Sequence, residues 1–100
     1  MTAEPTTAFH AEIRILLKPS VNDPQGQSIR HALHALHFEA VDTVRAGKLI
    51  QVVVRATDQA AAEASVERMC TQLLANPVIE TYTFTVSAAT AQAPAVAPAL

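Results

Sequence analysis

From Phe9 to Lys18 the chain reads FHAEIRILLK, with Phe9, Ala11, Ile13, Ile15 and Leu17 alternating against His10, Glu12, Arg14, Leu16 and Lys18. Period two predicts a strand with one face in a core. Leu16 departs from the alternation, so the other face is not purely polar. Over residues 24–37 the period changes: Ile29, Ala32, Leu33 and Leu36 keep the i, i+3, i+4, i+7 spacing of an amphipathic helix. Residues 41–56, VDTVRAGKLIQVVVRA, are β-branched on both sides of AGK, which predicts a hairpin turning at Gly47. A second helix is expected near 58–75. Asp58 is its N-cap, Ala62, Val66, Met69, Cys70, Leu73 and Leu74 form its buried stripe, and Asn76-Pro77 stops it. Val78 to Val86 alternates again and reads as the last strand.

The predicted order is β-α-β-β-α-β, with strands near 9–18, 40–46, 48–56 and 79–86. That is the α+β, ferredoxin-like plan: an antiparallel four-stranded sheet with both helices on one face. Right-handed crossovers put strands 1 and 3 at its centre. The opposite face then carries Leu16, Leu49, Val53 and Ile79, an expected oligomer interface or docking surface if they adjoin. Residues 1–8 read as a flexible N-terminus and 9–86 as one domain. Residues 87–100, SAATAQAPAVAPAL, offer no periodic face to bury and read as a disordered Ala/Pro-rich tail.

Composition narrows the classes. Half of the 100 residues are hydrophobic, enough for a core, but only four are aromatic and none is Trp. A domain this small is marginal alone, and oligomerisation is one remedy. The net charge is −2 with no Lys/Arg cluster, so a nucleic-acid footprint is missing. Cys70 is the single cysteine and cannot form an internal disulfide, which fits a reducing compartment. No apolar run approaches the length of a membrane span, and MTAEPTTAF lacks the features of a signal peptide. The chain reads as cytoplasmic.

The stretch SVNDPQGQS, Ser20 to Ser28, poses a choice between a phosphate-cradling loop and a helix cap. A phosphate loop needs several converging N–H groups and normally several glycines; this one has only Gly26. Asp23 is a favoured N-cap and Pro24 a favoured first helical residue. Gly26 is unexplained by capping, because it lowers helix propensity; a close approach by a partner backbone or a ligand would account for it.

The other candidates for chemistry are sparse. His31, His34 and His37 recur every third residue, but each step turns the side chain by about 60°, so the outer two diverge by about 120° and cannot share one ion. They read as solvent-facing, with His37 placed to meet the helix's C-terminal carbonyls. Cys70 lies on a buried stripe with nothing nearby to depress its pKa. None of Ser20, Ser28, Ser65 or Ser87 sits in a nucleophile motif. Glu63 and Glu67 read as solvated charges. Arg45 and Lys48 flank the hairpin glycine and form a candidate anion or partner contact. No catalytic residue and no metal ligand is assigned.

Three stretches, LKPSVNDPQGQSIRHALHALHF, VRAGKLIQV and MCTQLLANPVIETYTFTV, resemble the PurS family, the small subunit of the phosphoribosylformylglycinamidine synthase complex. The hallmarks stand here as Asp23-Pro24-Gln25-Gly26, Arg45-Ala46-Gly47-Lys48 and Cys70 through Glu80, over about residues 9–86. Helix 1 departs by ending in HALHF, where the family tends to carry a glycine. The resemblance implies a non-catalytic subunit that bridges an ATP-dependent synthetase subunit and a glutaminase subunit and aids ammonia transfer. The complex makes formylglycinamidine ribonucleotide from formylglycinamide ribonucleotide, glutamine and ATP in de novo purine synthesis. It also implies no cofactor on this chain, ATP and magnesium on the synthetase subunit, and a homodimer or dimer of dimers. Asp23, Pro24, Gly26, Arg45, Gly47 and Lys48 become candidate partner contacts, with Leu16, Leu49 and Val53 at the oligomer interface. The competing class is a stand-alone ferredoxin-like dimeric regulator that binds a small effector, which the fold alone would permit.

Overall fold

A computed structural model describes residues 5–89; the Ala/Pro-rich stretch lies outside them from residue 90 onward. The element order is β1 (Thr7–Leu17), α1 (Pro24–Ala35), β2 (Gly47–Ala56), α2 (Gln59–Met69), a π-helical turn (Cys70–Leu74) and β3 (Glu80–Ala88). β1 is central and pairs antiparallel with β2 on one side and β3 on the other. The first and last strands run past the predicted bounds: β3 includes Ser87 and Ala88, and Ala89 N–H donates to Ala8 O at 3.0 Å.

The alternation in β1 sets the core. Phe9, Ala11, Ile13 and Ile15 are buried on one face, the last three beneath Val66, Cys70 and Ala75 of the α2 segment and Phe9 against Ala56 and Ala62. Burial of an aliphatic side chain of this size is worth about 1.5–3 kcal/mol, so Ile13, Ile15 and Val66, all fully buried, dominate this small core. α2 begins where expected: Asp58 Oδ1 accepts from Ala61 N–H at 2.8 Å. Its stripe differs from the predicted one at Leu73, which is 81% exposed. The π turn is the reason. Ala75 N–H donates to Cys70 O, five residues back, so the buried face passes from Cys70 to Leu74 and Ala75 and leaves Leu73 outside.

The four-stranded ferredoxin-like sheet with both helices on one face is not what forms: the sheet has three strands among the described residues, and only α2 packs across it. Residues 41–46 carry no regular secondary structure and pair with no strand, and they run into β2 without a turn. The predicted hairpin fails at Gly47. A two-residue hairpin turn needs positive φ, and neither glycine has it. Gly47 is needed for another reason: a Cβ there would collide with Ile15 O and sit 2.6 Å from Leu16 Cδ2. The glycine lets β2 start flush against β1.

Residues 41–46 instead run back along α1. α1 is not among the elements packed on the sheet. α1 closes with His37 at φ 75°. Phe38 N–H donates to Leu33 O at 2.9 Å and His37 N–H to His34 O at 3.0 Å, the two bonds of a left-handed helix C-cap.

Candidate functional site

The DPQG stretch, the 41–46 segment and the start of β2 meet at one carboxylate. Asp23 caps α1 with Oδ1, which accepts from Gly26 N–H at 2.9 Å, and Oδ2 accepts from Ala46 N–H at 2.9 Å. The two backbone hydrogen bonds, first Gly26 and then Ala46, hold its pKa below the ordinary carboxylate value, and the Arg45 cation adds to the effect. Pro24 occupies the first helical turn, where its missing N–H costs nothing. Gly26 is buried, and a Cβ there would run into Val44 O and lie 2.6 Å from Asp23 Oδ2. A close approach of the kind the sequence called for is made at Gly26 by the chain's own backbone, at Val44 O.

A polar stripe on α1 continues the clasp. Arg30 Nε donates to Asp42 O at 2.8 Å, and His34 Nε2, which must carry the proton to face a carbonyl, donates to Val41 O at 2.8 Å. His34 is thus half-buried and bonded, not solvent-facing; His31 is exposed. Asp23, Gln27, Arg30 and His34 fall at i, i+4, i+7 and i+11, one face of a helix. That spacing is the signal that could have marked Arg30 from sequence alone; Asp42 carries no such signal.

Two clefts flank the clasp, and Asp23 lines both. The larger, of about 660 Å³, is bounded by Ser20, Asn22, Gln27, Arg30, Asp42 and Arg45. The smaller, of about 220 Å³, includes Gly47, Lys48 and Glu80. Lys48 Nζ lies 3.6 Å from Glu80 Oε2. The structure therefore gathers Asp23, Pro24, Gly26, Arg45, Gly47 and Lys48 around one junction, with Gly26 and Gly47 acting as spacers and the charged side chains reaching solvent.

The other candidate set lies elsewhere. Leu16, Leu49 and Val53 are on the sheet face away from α2, and all are exposed. Leu16 leans over Gly47, two positions from Leu49. Val53 is set apart by Glu12, which accepts from Arg14 Nη2 at 2.6 Å and from Gln51 Nε2 at 3.4 Å. Ile79 immediately precedes β3, where its carbonyl accepts from Lys18 N–H at 2.8 Å. The face is mixed, not one apolar patch.

Two further groups lie under and beside α2. Cys70 is buried, and desolvation, with the nearby Glu67 charge, pushes its thiol pKa up. Tyr82 O–H donates to the Glu67 carboxylate; that bond, followed by desolvation and the Glu67 charge, pushes its pKa up to about 12. No three His, Cys, Asp or Glu side chains converge on a metal position among the described residues, and no described helix is long and apolar enough to cross a membrane.

Taken together, the geometry defines a small α+β protein in which α1 is clasped to residues 41–46, with polar clefts beside the clasp. Residues 10–88 match the family model PurS, phosphoribosylformylglycinamidine (FGAM) synthase. The PurS subunit of phosphoribosylformylglycinamidine synthase from Synechocystis is 42% identical over 81 residues, 81% of each chain. The crystal structure of the Thermotoga maritima PurS subunit superposes with a TM-score of 0.76 at 30% identity, covering 83% of this chain and 95% of that one. A chain in the structure of PurLQS from Thermotoga maritima gives 0.74 at 32% identity, covering 79% and 96%. The chain belongs to the PurS family.

Proposed function

We propose that the chain is the small subunit of phosphoribosylformylglycinamidine synthase, in de novo purine biosynthesis. It bridges the ATP-dependent synthetase subunit and the glutaminase subunit and aids passage of ammonia between them, so that formylglycinamide ribonucleotide, glutamine and ATP give formylglycinamidine ribonucleotide. The observation that carries this reading is the likeness, over most of both chains, to a component of the PurLQS structure. None of the relatives described above is a stand-alone regulator, and the effector-binding alternative has no support. On this reading the synthetase subunit holds ATP and magnesium, this chain binds no cofactor, and the complex works in the cytoplasm. The chain acts as a homodimer or a dimer of dimers.

The contacts with the larger subunits are assigned to the junction around Asp23. Arg45 and Lys48 present charge there, and Arg30 adds a cation in the larger cleft. The test is reconstitution with purified synthetase and glutaminase subunits. Glutamine-dependent turnover should require this chain, while ammonia-dependent turnover should continue without it. Equal glutamine-dependent rates with and without the chain would refute the bridging role.

A further inference from the structure

β3 is an edge strand whose one neighbour is β1. Lys18 N–H donates to Ile79 O at 2.8 Å at one end of their ladder, and Ala89 N–H donates to Ala8 O at 3.0 Å at the other. Between these ends the register runs from Leu17 opposite Glu80 to Phe9 opposite Ala88 without a bulge. Backbone groups in an antiparallel ladder alternate in direction. Those of Thr81, Thr83, Thr85 and Ser87 therefore face β1, and those of Tyr82, Phe84 and Val86 face outward. The contacts at either end of the outer edge agree: Glu80 N–H donates to Asn76 O at 2.7 Å, and Gln59 Nε2 donates to Val86 O at 2.7 Å. Between them, the N–H and C=O of Tyr82 and Phe84 and the N–H of Val86 have no hydrogen-bond partner among the described residues.

An open edge is a template for another strand, and proteins normally blunt it with charge, proline or a bulge. This edge has none of these: TYTFTVSA, Thr81 to Ala88, carries no charged residue and no proline. The Tyr82 and Phe84 rings stack beside it with centroids 6.4 Å apart, only partly buried on the α2 side. Glu80, at the start of the strand, lines the smaller cleft, so the edge continues the surface assigned above to the larger subunits. We propose that an extended, uncharged segment of a larger subunit of the complex pairs with β3 from Tyr82 to Val86 and lays an apolar side chain against the Tyr82 and Phe84 rings. Backbone hydrogen bonds supply the attraction, and the two rings supply the selectivity. A second copy of this chain fits less well. Tyr82 to Val86 is a short edge, small beside the roughly 1,200 Å² that a stable pair of proteins buries, whereas a larger subunit adds it to contacts at the junction. This contact rests on the subunit reading above and deepens it.

Hydrogen exchange on the full-length chain, quenched and read residue by residue, tests the pairing. In the chain alone the amides of Tyr82, Phe84 and Val86 should exchange fast, and those of Thr81, Thr83 and Thr85 slowly. On assembly with the synthetase and glutaminase subunits, the Tyr82 and Phe84 amides should slow by about tenfold or more. Unchanged exchange in an assembled complex overturns the proposal. So does slow exchange of these amides in the chain alone, which would mean that this chain or a second copy already covers the edge. A second variant removes one N–H: semisynthesis through Cys70 gives a full-length chain with Phe84→N-methyl-Phe. That N–H faces away from β1, so the fold should persist, while glutamine-dependent turnover at limiting concentration falls about fivefold to tenfold, the loss of one hydrogen bond. Full turnover in a folded methylated chain counts against the pairing; if that chain does not fold, the exchange result decides. An unmodified chain that supports no glutamine-dependent turnover refutes the subunit reading. One that supports it with unchanged exchange at Tyr82 and Phe84 refutes only the pairing.

Discussion

Asp23 Oδ2 accepts from Ala46 N–H across 23 residues of sequence, at 2.9 Å, while its other oxygen caps α1 through Gly26. One carboxylate thus fixes both the start of the helix and the register of the segment beside it. Asp23→Ala should lower the urea midpoint, since it leaves two N–H groups without their acceptor. Asp23→Asn should recover part of the loss, since an amide oxygen can accept one of the two bonds.

The same residue sets an acid dependence. The folded pKa of Asp23 lies below its value of 3.8 in the free side chain. The stability it contributes is therefore complete above that value and is lost as the pH falls through the lowered folded pKa. Urea midpoints measured from neutral pH downward should decline below about pH 4, and less steeply in Asp23→Asn. Equal slopes in the two proteins would show that the clasp is not carried by the charge.

Gly26 sits where two effects oppose. Alanine would gain up to about 1 kcal/mol of helix propensity. Its Cβ, however, meets Val44 O and Asp23, and forced overpacking costs about 1–3 kcal/mol. Because Val44 O is backbone and its neighbours are tied to α1, the clash should win. Gly26→Ala is expected to destabilise by about 1–2 kcal/mol net in chemical denaturation, taking the difference of those two magnitudes. A neutral or stabilising result would mean that the segment moves aside freely.

His37 holds a left-handed conformation that costs a non-glycine residue about 1–2 kcal/mol, partly offset by the greater chain entropy that glycine loses on folding. His37→Gly should stabilise the chain by about 0.5–1 kcal/mol. With His31→Ala and His34→Ala it should leave synthase turnover nearly unchanged, because no role in the chemistry is assigned to these rings. A hundredfold loss from any one would reveal a missed site.

Tyr82 is the single tyrosine, so its ionisation is read without overlap. Its folded pKa of about 12 exceeds the free value of 10.0. Folding favours the protonated phenol, so stability from this group is intact below pH 10 and is lost as the pH rises from 10 towards 12. Absorbance at the phenolate band should show a late transition in the native protein, moving back towards 10 in Glu67→Gln. An unshifted native titration would mean that the Tyr82–Glu67 bond does not form in solution.

What the sequence reveals depends on whether one residue's neighbours are local. The β1 alternation and both Asp caps are local signals, and they appear where the pattern puts them. Gly47 misleads because AGK between β-branched runs has the form of a hairpin turn, while its actual constraint, contact with Ile15 O, comes from a residue 32 positions earlier. Leu73 misleads because the buried stripe is extrapolated at 3.6 residues per turn through a segment that winds wider. At the junction, Asp23 and Gly26 are legible as cap and close approach. That the approaching group is Val44 O is not, since it requires knowing that residues 41–46 lie along α1.

The last prediction concerns charge beside the clasp. Arg45 is exposed beside the larger cleft, and Lys48 reaches solvent despite its contact with Glu80. If acidic surface of a larger subunit docks there, reversal of one cation replaces attraction with repulsion, while the fold loses no buried contact. Arg45→Glu should therefore keep the thermal midpoint within a degree or two, since exposed substitutions change stability by less than about 0.5 kcal/mol. It should weaken assembly and cut glutamine-dependent turnover about tenfold at limiting subunit concentration, an effect that grows at low salt and shrinks at high salt. Ammonia-dependent turnover should change by less than about twofold, because on the proposed reading that route needs no glutaminase docking and only rim electrostatics are altered. Undiminished glutamine-dependent activity in Arg45→Glu and in Lys48→Glu, measured at limiting concentration and low salt, would move the docking surface away from this junction, with the mixed sheet face of Leu16, Leu49 and Val53 as the next place to look.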